Sequence, residues 1–172
     1  MQELGAYNDK AYYTEPSTPM FFFGRGLSYA SGFAVSGVAC DRCATLLQAT
    51  DSFTISGTVA TKSAADPAAR LSLLLFYSQH APTKWTRYNR AQMGFTKLSV
   101  PAGAGAGGSF SLVAKVRDLD AFEPEVSDYV VYTGAYTVTL AYSAAPEDLA
   151  APLASFTLSV NGTYTWSRDF TA

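Results

Sequence analysis

Residues 52–61 read Ser-Phe-Thr-Ile-Ser-Gly-Thr-Val-Ala-Thr. Phe53, Ile55, Gly57 and Val59 take every second position, with small or hydroxylated residues between them. Successive side chains of a strand point to opposite faces, so this run predicts a strand with one buried and one wet face. The same alternation recurs at 28–38 (Tyr29, Phe33, Val35, Val38), 109–116 (Phe110, Leu112, Ala114, Val116), 135–142 (Tyr136, Val138, Leu140, Tyr142) and 155–160 (Phe156, Leu158, Val160). Leu71–Tyr77 is instead an apolar run, as a strand covered on both faces would be. Shorter strands are expected at 95–100 and 129–132, and the glycine-rich stretch 103–108 reads as a flexible turn. The sum is about seven or eight strands in an all-β, antiparallel two-sheet sandwich. No stretch carries sustained helical periodicity; the closest, Ser63–Arg70, is interrupted by Pro67.

Composition agrees. The chain has 172 residues, enough for one domain with a real hydrophobic core, and 48% of them are hydrophobic. Its 11 Tyr, 11 Phe and 2 Trp favour pleated, half-buried surfaces. A net charge of −2 with 15% charged residues gives no cationic patch for a phosphate backbone, so nucleic acid is not expected as a partner. No apolar run approaches the roughly 20 residues of a transmembrane helix, so no membrane partner is expected either. The first residues lack a basic start followed by an apolar stretch, the form of a secretory leader. They read as mid-protein text, and the chain is expected to be a piece of a longer protein.

Phe23-Gly24-Arg25-Gly26-Leu27-Ser28-Tyr29 resembles the Phe-Gly-x-Gly-Leu-Ser-Tyr signature of glycoside hydrolase family 3, where it joins the second catalytic domain to a C-terminal fibronectin type III-like domain. An ordered set follows it. Leu73–Tyr77 is similar to the family's apolar strand, and Gly94-Phe95-Thr96-Lys97-Leu98 to its Gly-Phe-x-Lys element. Ser109–Leu112, Asp118-Leu119 and Gly134-Ala135-Tyr136-Thr137-Val138 match further elements in the same order. Upstream, Ala11-Tyr12-Tyr13-Thr14 resembles the segment before the junction in the β-xylosidase branch. Arg25 departs from the family's frequent aromatic, and Cys40–Thr50 reads as an insertion.

The resemblance implies a non-catalytic fibronectin type III-like domain of a β-xylosidase or β-glucosidase acting on β-linked polysaccharide. It implies a linker at 1–26, the sandwich at 27–162 and a tail at 163–172. The partners would be the catalytic domains, reached through Tyr12, Tyr13, Phe21, Phe22, Phe23, Gly24, Gly26 and Tyr29. A secreted parent would place it outside the cell or in a vacuole. The alternative is a free-standing carbohydrate-binding or adhesive fibronectin type III-like module. Such a module would bury the aromatic strip, whereas an accessory domain would leave it as a docking face.

Retaining glycosidases need two carboxyl groups about 5 Å apart. The resemblance puts both in domains outside this sequence, so no catalytic residue, metal ligand or cofactor is assigned. Trp85, Tyr88 and Trp166 are candidates for stacking on a β-linked saccharide, set against ordinary core or interface roles. Asp118, Asp120, Glu123 and Glu125 are expected to form a solvated loop, and His80 to lie in a loop after the apolar strand. Cys40 and Cys43 form one Cys-x-x-Cys, read as two free thiols or a local disulfide ahead of a redox or metal role. Asn161-Gly162-Thr163 is an N-glycosylation sequon.

Overall fold

The alternating run at 52–61 forms β3 (Ser52–Thr61), the middle of a three-stranded antiparallel sheet between β1 (Phe33–Cys40) and β6 (Gly108–Lys115). Facing it is a five-stranded sheet in the order β2 (Leu46–Leu47), β10 (Ala154–Val160), β9 (Gly134–Ala141), β4 (Ala69–Gln79), β5 (Ala91–Val100). Its pairings are antiparallel except β2 with β10, which is parallel. A small third sheet joins β11 (Tyr164–Trp166), β8 (Asp128–Val131) and β7 (Ala121–Glu123). These elements come from a computed structural model that describes residues 21–80, 91–103 and 107–166, with residues 164 and 166 described by backbone alone.

The core lies between the two large sheets and is built by the predicted alternation. Phe53, Ile55 and Val59 of β3 and Phe110, Leu112 and Ala114 of β6 meet Leu71, Leu73 and Leu75 of β4, Tyr136, Val138 and Leu140 of β9, and Leu158 and Val160 of β10. Each large side chain so buried contributes about 1.5–3 kcal/mol of transfer free energy. Gly57 stands opposite Phe110 across the β3–β6 pair. A Cβ there would lie 2.9 Å from two carbons of the Phe110 ring and 3.1 Å from the Ser36 carbonyl. The missing side chain is what lets the ring lie over the strand.

The apolar run of β4 is covered on both faces, as its composition predicts. Leu71, Leu73 and Leu75 enter the main core. Leu74 and Phe76 form a second cluster on the outer face with Ala141, and Ala144 and Leu149 pack against it. Leu149 belongs to α1 (Pro146–Ala150), a single helical turn. Its Pro at the start and Glu147 and Asp148 in the first turn are helix-start features, but five residues give no period to read.

Several segments add to, or depart from, what their sequence suggests. Within Cys40–Thr50, read as an insertion, Leu47 and Ala49 are buried in the core and β2 extends the larger sheet. The strand expected from residue 28 begins only at Phe33, since residues 21–32 follow a different path described below. The acidic group is only partly solvated: Asp120 and Glu123 are buried, and Glu123 accepts a 2.6 Å hydrogen bond from the Tyr132 hydroxyl. That bond supplies part of the polar partnership that burial of a carboxylate demands. Past residue 162, β11 pairs antiparallel with β8.

The registers give the sandwich two poles. Phe33, the start of β4 and Tyr142–Ala144 lie at one, where the Tyr142 hydroxyl donates to the Phe33 carbonyl at 3.3 Å. Cys40, Gly134 and Val160 lie at the other.

Candidate functional site

Residues 21–32 run across the first pole and are pinned there at several points. The Ala144 amide donates to the Phe23 carbonyl at 2.8 Å, and the Arg25 amide closes a turn onto the Phe22 carbonyl at 3.0 Å. Gly24 has φ of +81° and presses on the outer cluster of β4. A Cβ there would stand 2.3 Å from Leu74 Cδ1 and 3.4 Å from Ser143 Cα, so a side chain here would be strained by the backbone and would have to displace the Leu74 methyl. Gly26 faces open space and carries no such constraint. The Arg25 guanidinium pairs with Glu147 of α1.

The far end is held by a buried carboxylate. Asp66 accepts the Ser31 amide at 2.7 Å, the Ser31 hydroxyl at 2.9 Å and the Ser63 amide at 3.0 Å. Its carbonyl accepts the Gly103 amide at 3.2 Å, and the Lys62 amide reaches the Gly32 carbonyl at 3.1 Å. One aspartate thus ties the approach to β1, the β3–β4 turn and the β5–β6 turn together. The Ser31 amide, then the Ser63 amide and the Ser31 hydroxyl, hold its carboxyl below the ordinary range despite the opposing effect of burial. The Glu147 carboxyl is also held low, first by its own amide at the start of α1 and then by Arg25. The Tyr142 hydroxyl is pushed up by burial and by the nearby Asp148 charge.

Between these pins the apolar side chains face outward. Phe21 is 74% exposed, Phe23 60%, Leu27 104% and Tyr29 99%. Phe22 alone among the three phenylalanines is half-buried. A groove of about 220 Å³ runs beside the segment, lined by Arg25, Leu27, Phe33, Arg70, Tyr142 and Asp148. The arrangement is an apolar strip tied down at both ends, with a charged border. That suits docking against another surface, since a fixed anchor loses little freedom on binding.

Of the residues singled out from sequence, Phe21, Phe22, Phe23, Gly24, Gly26 and Tyr29 share this segment. Tyr12, Tyr13, Trp85 and Tyr88 lie outside the described residues. Trp166 lies in β11, where its register position is opposite Tyr129, which is itself opposite Phe122. Phe122 is 53% exposed and meets Tyr129 edge-on, with ring centroids 5.6 Å apart. Asn161 is exposed in the turn after β10. His80 is exposed and meets the Thr137 hydroxyl. Cys40 and Cys43 are joined in a disulfide, with Cα atoms 5.6 Å apart, the second of the two alternatives of free thiols or a local bond. Among the described residues, no group of three or more His, Cys, Asp or Glu is placed to hold a metal ion. Sequence reading missed Leu27, Asp66 and Glu147 as parts of the site. Leu27 stood within the quoted signature, whereas Asp66 and Glu147 gave no local signal.

No protein-family model matches the chain, and no curated protein matches it. Solved structures do. The β-glucosidase from Kluyveromyces marxianus in complex with glucose matches 84% of this chain at a TM-score of 0.66 and 22% identity. β-Glucosidase 3B from Thermotoga neapolitana matches 96% at a TM-score of 0.71 and 18% identity. The GH3 β-glucosidase from Bifidobacterium adolescentis matches 96% at 0.67 and 21% identity. The chain spans only 15%, 20% and 22% of those enzymes' lengths, respectively. At such identities the likeness is one of fold: this sandwich has the fold of one portion of those β-glucosidases.

Proposed function

We propose that the chain is a non-catalytic, fibronectin type III-like domain of a family 3 glycoside hydrolase, docking on the catalytic domains through residues 21–29. The observation that carries this reading is the strip itself, fixed at both ends yet with Leu27 and Tyr29 almost wholly in solvent. The fold match to a small share of β-glucosidases supports it, as does the signature at 23–29. The three-stranded sheet facing a larger one fits the fibronectin type III-like assignment. So does Tyr136, whose hydroxyl bonds back to the Tyr132 carbonyl as a tyrosine corner does. The domain's role is then buried area and orientation. The carboxylates that cleave a β-glycoside of xylose or glucose belong to the domains it braces.

The test begins with the reading frame upstream of Met1, which is expected to continue into a barrel and an α/β domain. Untranslated sequence there would sink the proposal. With that upstream portion expressed separately, the chain should bind it. Replacing Leu27 and Tyr29 together by Ala should weaken binding at least about tenfold, since a buried aromatic anchor is worth about 2 kcal/mol or more. The same double variant should unfold like the parent chain.

A second reading, a saccharide-binding module, rests on the row Phe122–Tyr129–Trp166 across the small sheet. Retention of the chain on insoluble β-glucan or xylan, lost in Phe122→Ala, would favour it over docking.

A further inference from the structure

We propose that Asn161 carries an N-linked glycan, and that the pole bearing it faces solvent in the mature protein. Asn161-Gly162-Thr163 is the only Asn-x-Ser/Thr triplet in the 172 residues. It forms the turn leaving β10, with Asn161, Gly162 and Thr163 all exposed and Gly162 at φ of +80°. The Asn161 backbone amide is engaged with the Leu47 carbonyl at 2.8 Å, which fixes the turn through the main chain. A sugar on Nδ2 therefore disturbs no packed group.

A second observation points independently to the compartment where such a transfer occurs. The Cys40–Cys43 disulfide sits at the same pole, and such bonds persist in oxidising compartments. It closes the corner that leads into β2, whose Leu47 holds the sequon turn. The docking strip lies at the opposite pole, against Ser143 and Ala144. The eight residues of β9 join Gly134 at the sequon end to Ala141 at the strip end. At about 3.4 Å per residue that separates the poles by roughly 25 Å. A glycan at Asn161 leaves the strip clear.

The chemistry is transfer from a lipid-linked pyrophosphate oligosaccharide. Nδ2 attacks C1 of the first sugar and the C1–O bond to the pyrophosphate breaks. The lipid pyrophosphate leaves with that electron pair, and Nδ2 gives up one proton to a base on the transferase.

The experiment expresses the full chain behind a secretion leader in a eukaryotic host and digests it with peptide N-glycosidase. The expected result is a mobility shift, Asn161→Asp conversion by peptide mass, and no shift in Asn161→Gln or Thr163→Ala. A secreted, disulfide-bonded chain without glycan would overturn the proposal. Because Asn161→Gln keeps the backbone bond to Leu47, it should fold as the parent does. The docking reading is unaffected by either outcome.

Discussion

Replacing Tyr136 by phenylalanine removes one oxygen atom from a side chain that is 1% exposed. That oxygen donates to the Tyr132 carbonyl at 2.9 Å, joining the start of β9 to the end of the preceding loop. The ring remains, tilted against Tyr77 with centroids 6.4 Å apart, so no large cavity opens. A neutral hydrogen bond contributes about 0.5–1.5 kcal/mol net, and the half-buried Tyr132 carbonyl left without this donor places the cost toward the upper end of that range. Full truncation to alanine would add a cavity and cost about 3–5 kcal/mol. For a chain of this size each kcal/mol lowers the melting temperature by about 2–4 °C. The assay is urea unfolding of the full chain, comparing midpoints at unchanged slope. Tyr142→Phe serves as the internal comparison. Its hydroxyl reaches the Phe33 carbonyl at 3.3 Å from a half-buried position and should cost less, under about 1 kcal/mol. If Tyr136→Phe unfolds at the parent's midpoint, or costs less than Tyr142→Phe, the corner is not a tie and the argument for it fails.

Asp66 has a depressed folded-state pKa, so its contribution is present above the unfolded carboxylate value of about 3.9 and is lost as pH falls through the folded one. Asp66→Asn should therefore lower stability at neutral pH and flatten the stability profile below about pH 4; an unaltered acid limb would count against the clasp. Gly24→Ala forces a Cβ into Leu74 at a positive φ, and should loosen the strip, read as faster proteolytic cutting within residues 21–32 with little change in the global unfolding midpoint. Converting both Cys40 and Cys43 to serine opens a four-residue loop, for which chain entropy gives about 2 kcal/mol of lost stability. A variant as stable as the parent would show that the corner is held by Asp41, Arg42 and Asp51 instead.

What the sequence revealed was whatever repeats at short range. Period-2 runs at β3, β6, β9 and β10 named the core residues because alternation is a property of the strand alone. The double burial of Leu73–Phe76 was legible for the same reason, in the absence of polar alternates. Leu47 was not, because a two-residue strand has no period and its parallel partner lies over a hundred residues away in the chain. Asp66 was not, because Ser31, its principal donor, is 35 residues upstream and nothing local marks the pairing. The strip was legible as residue types, but its exposure depends on Ala144, Leu74 and Glu147, which only the fold brings beneath it.

Asp66 also bears on how the molecule would transmit force. Pulling on residues ahead of Phe21 loads the segment that crosses the first pole. The pull would reach Arg25–Glu147 and the Phe23–Ala144 bond before it reached Asp66. Those outer contacts can peel one at a time. The two Ser31 bonds to the Asp66 carboxylate share the load and shield β1, whose pairing with β3 lies immediately behind them, while the Ser63 amide holds the same carboxylate within its own turn. A sandwich built this way would yield residues 21–30 under tension while keeping its core shut, so a pull from that end would peel the segment and leave the two large sheets folded.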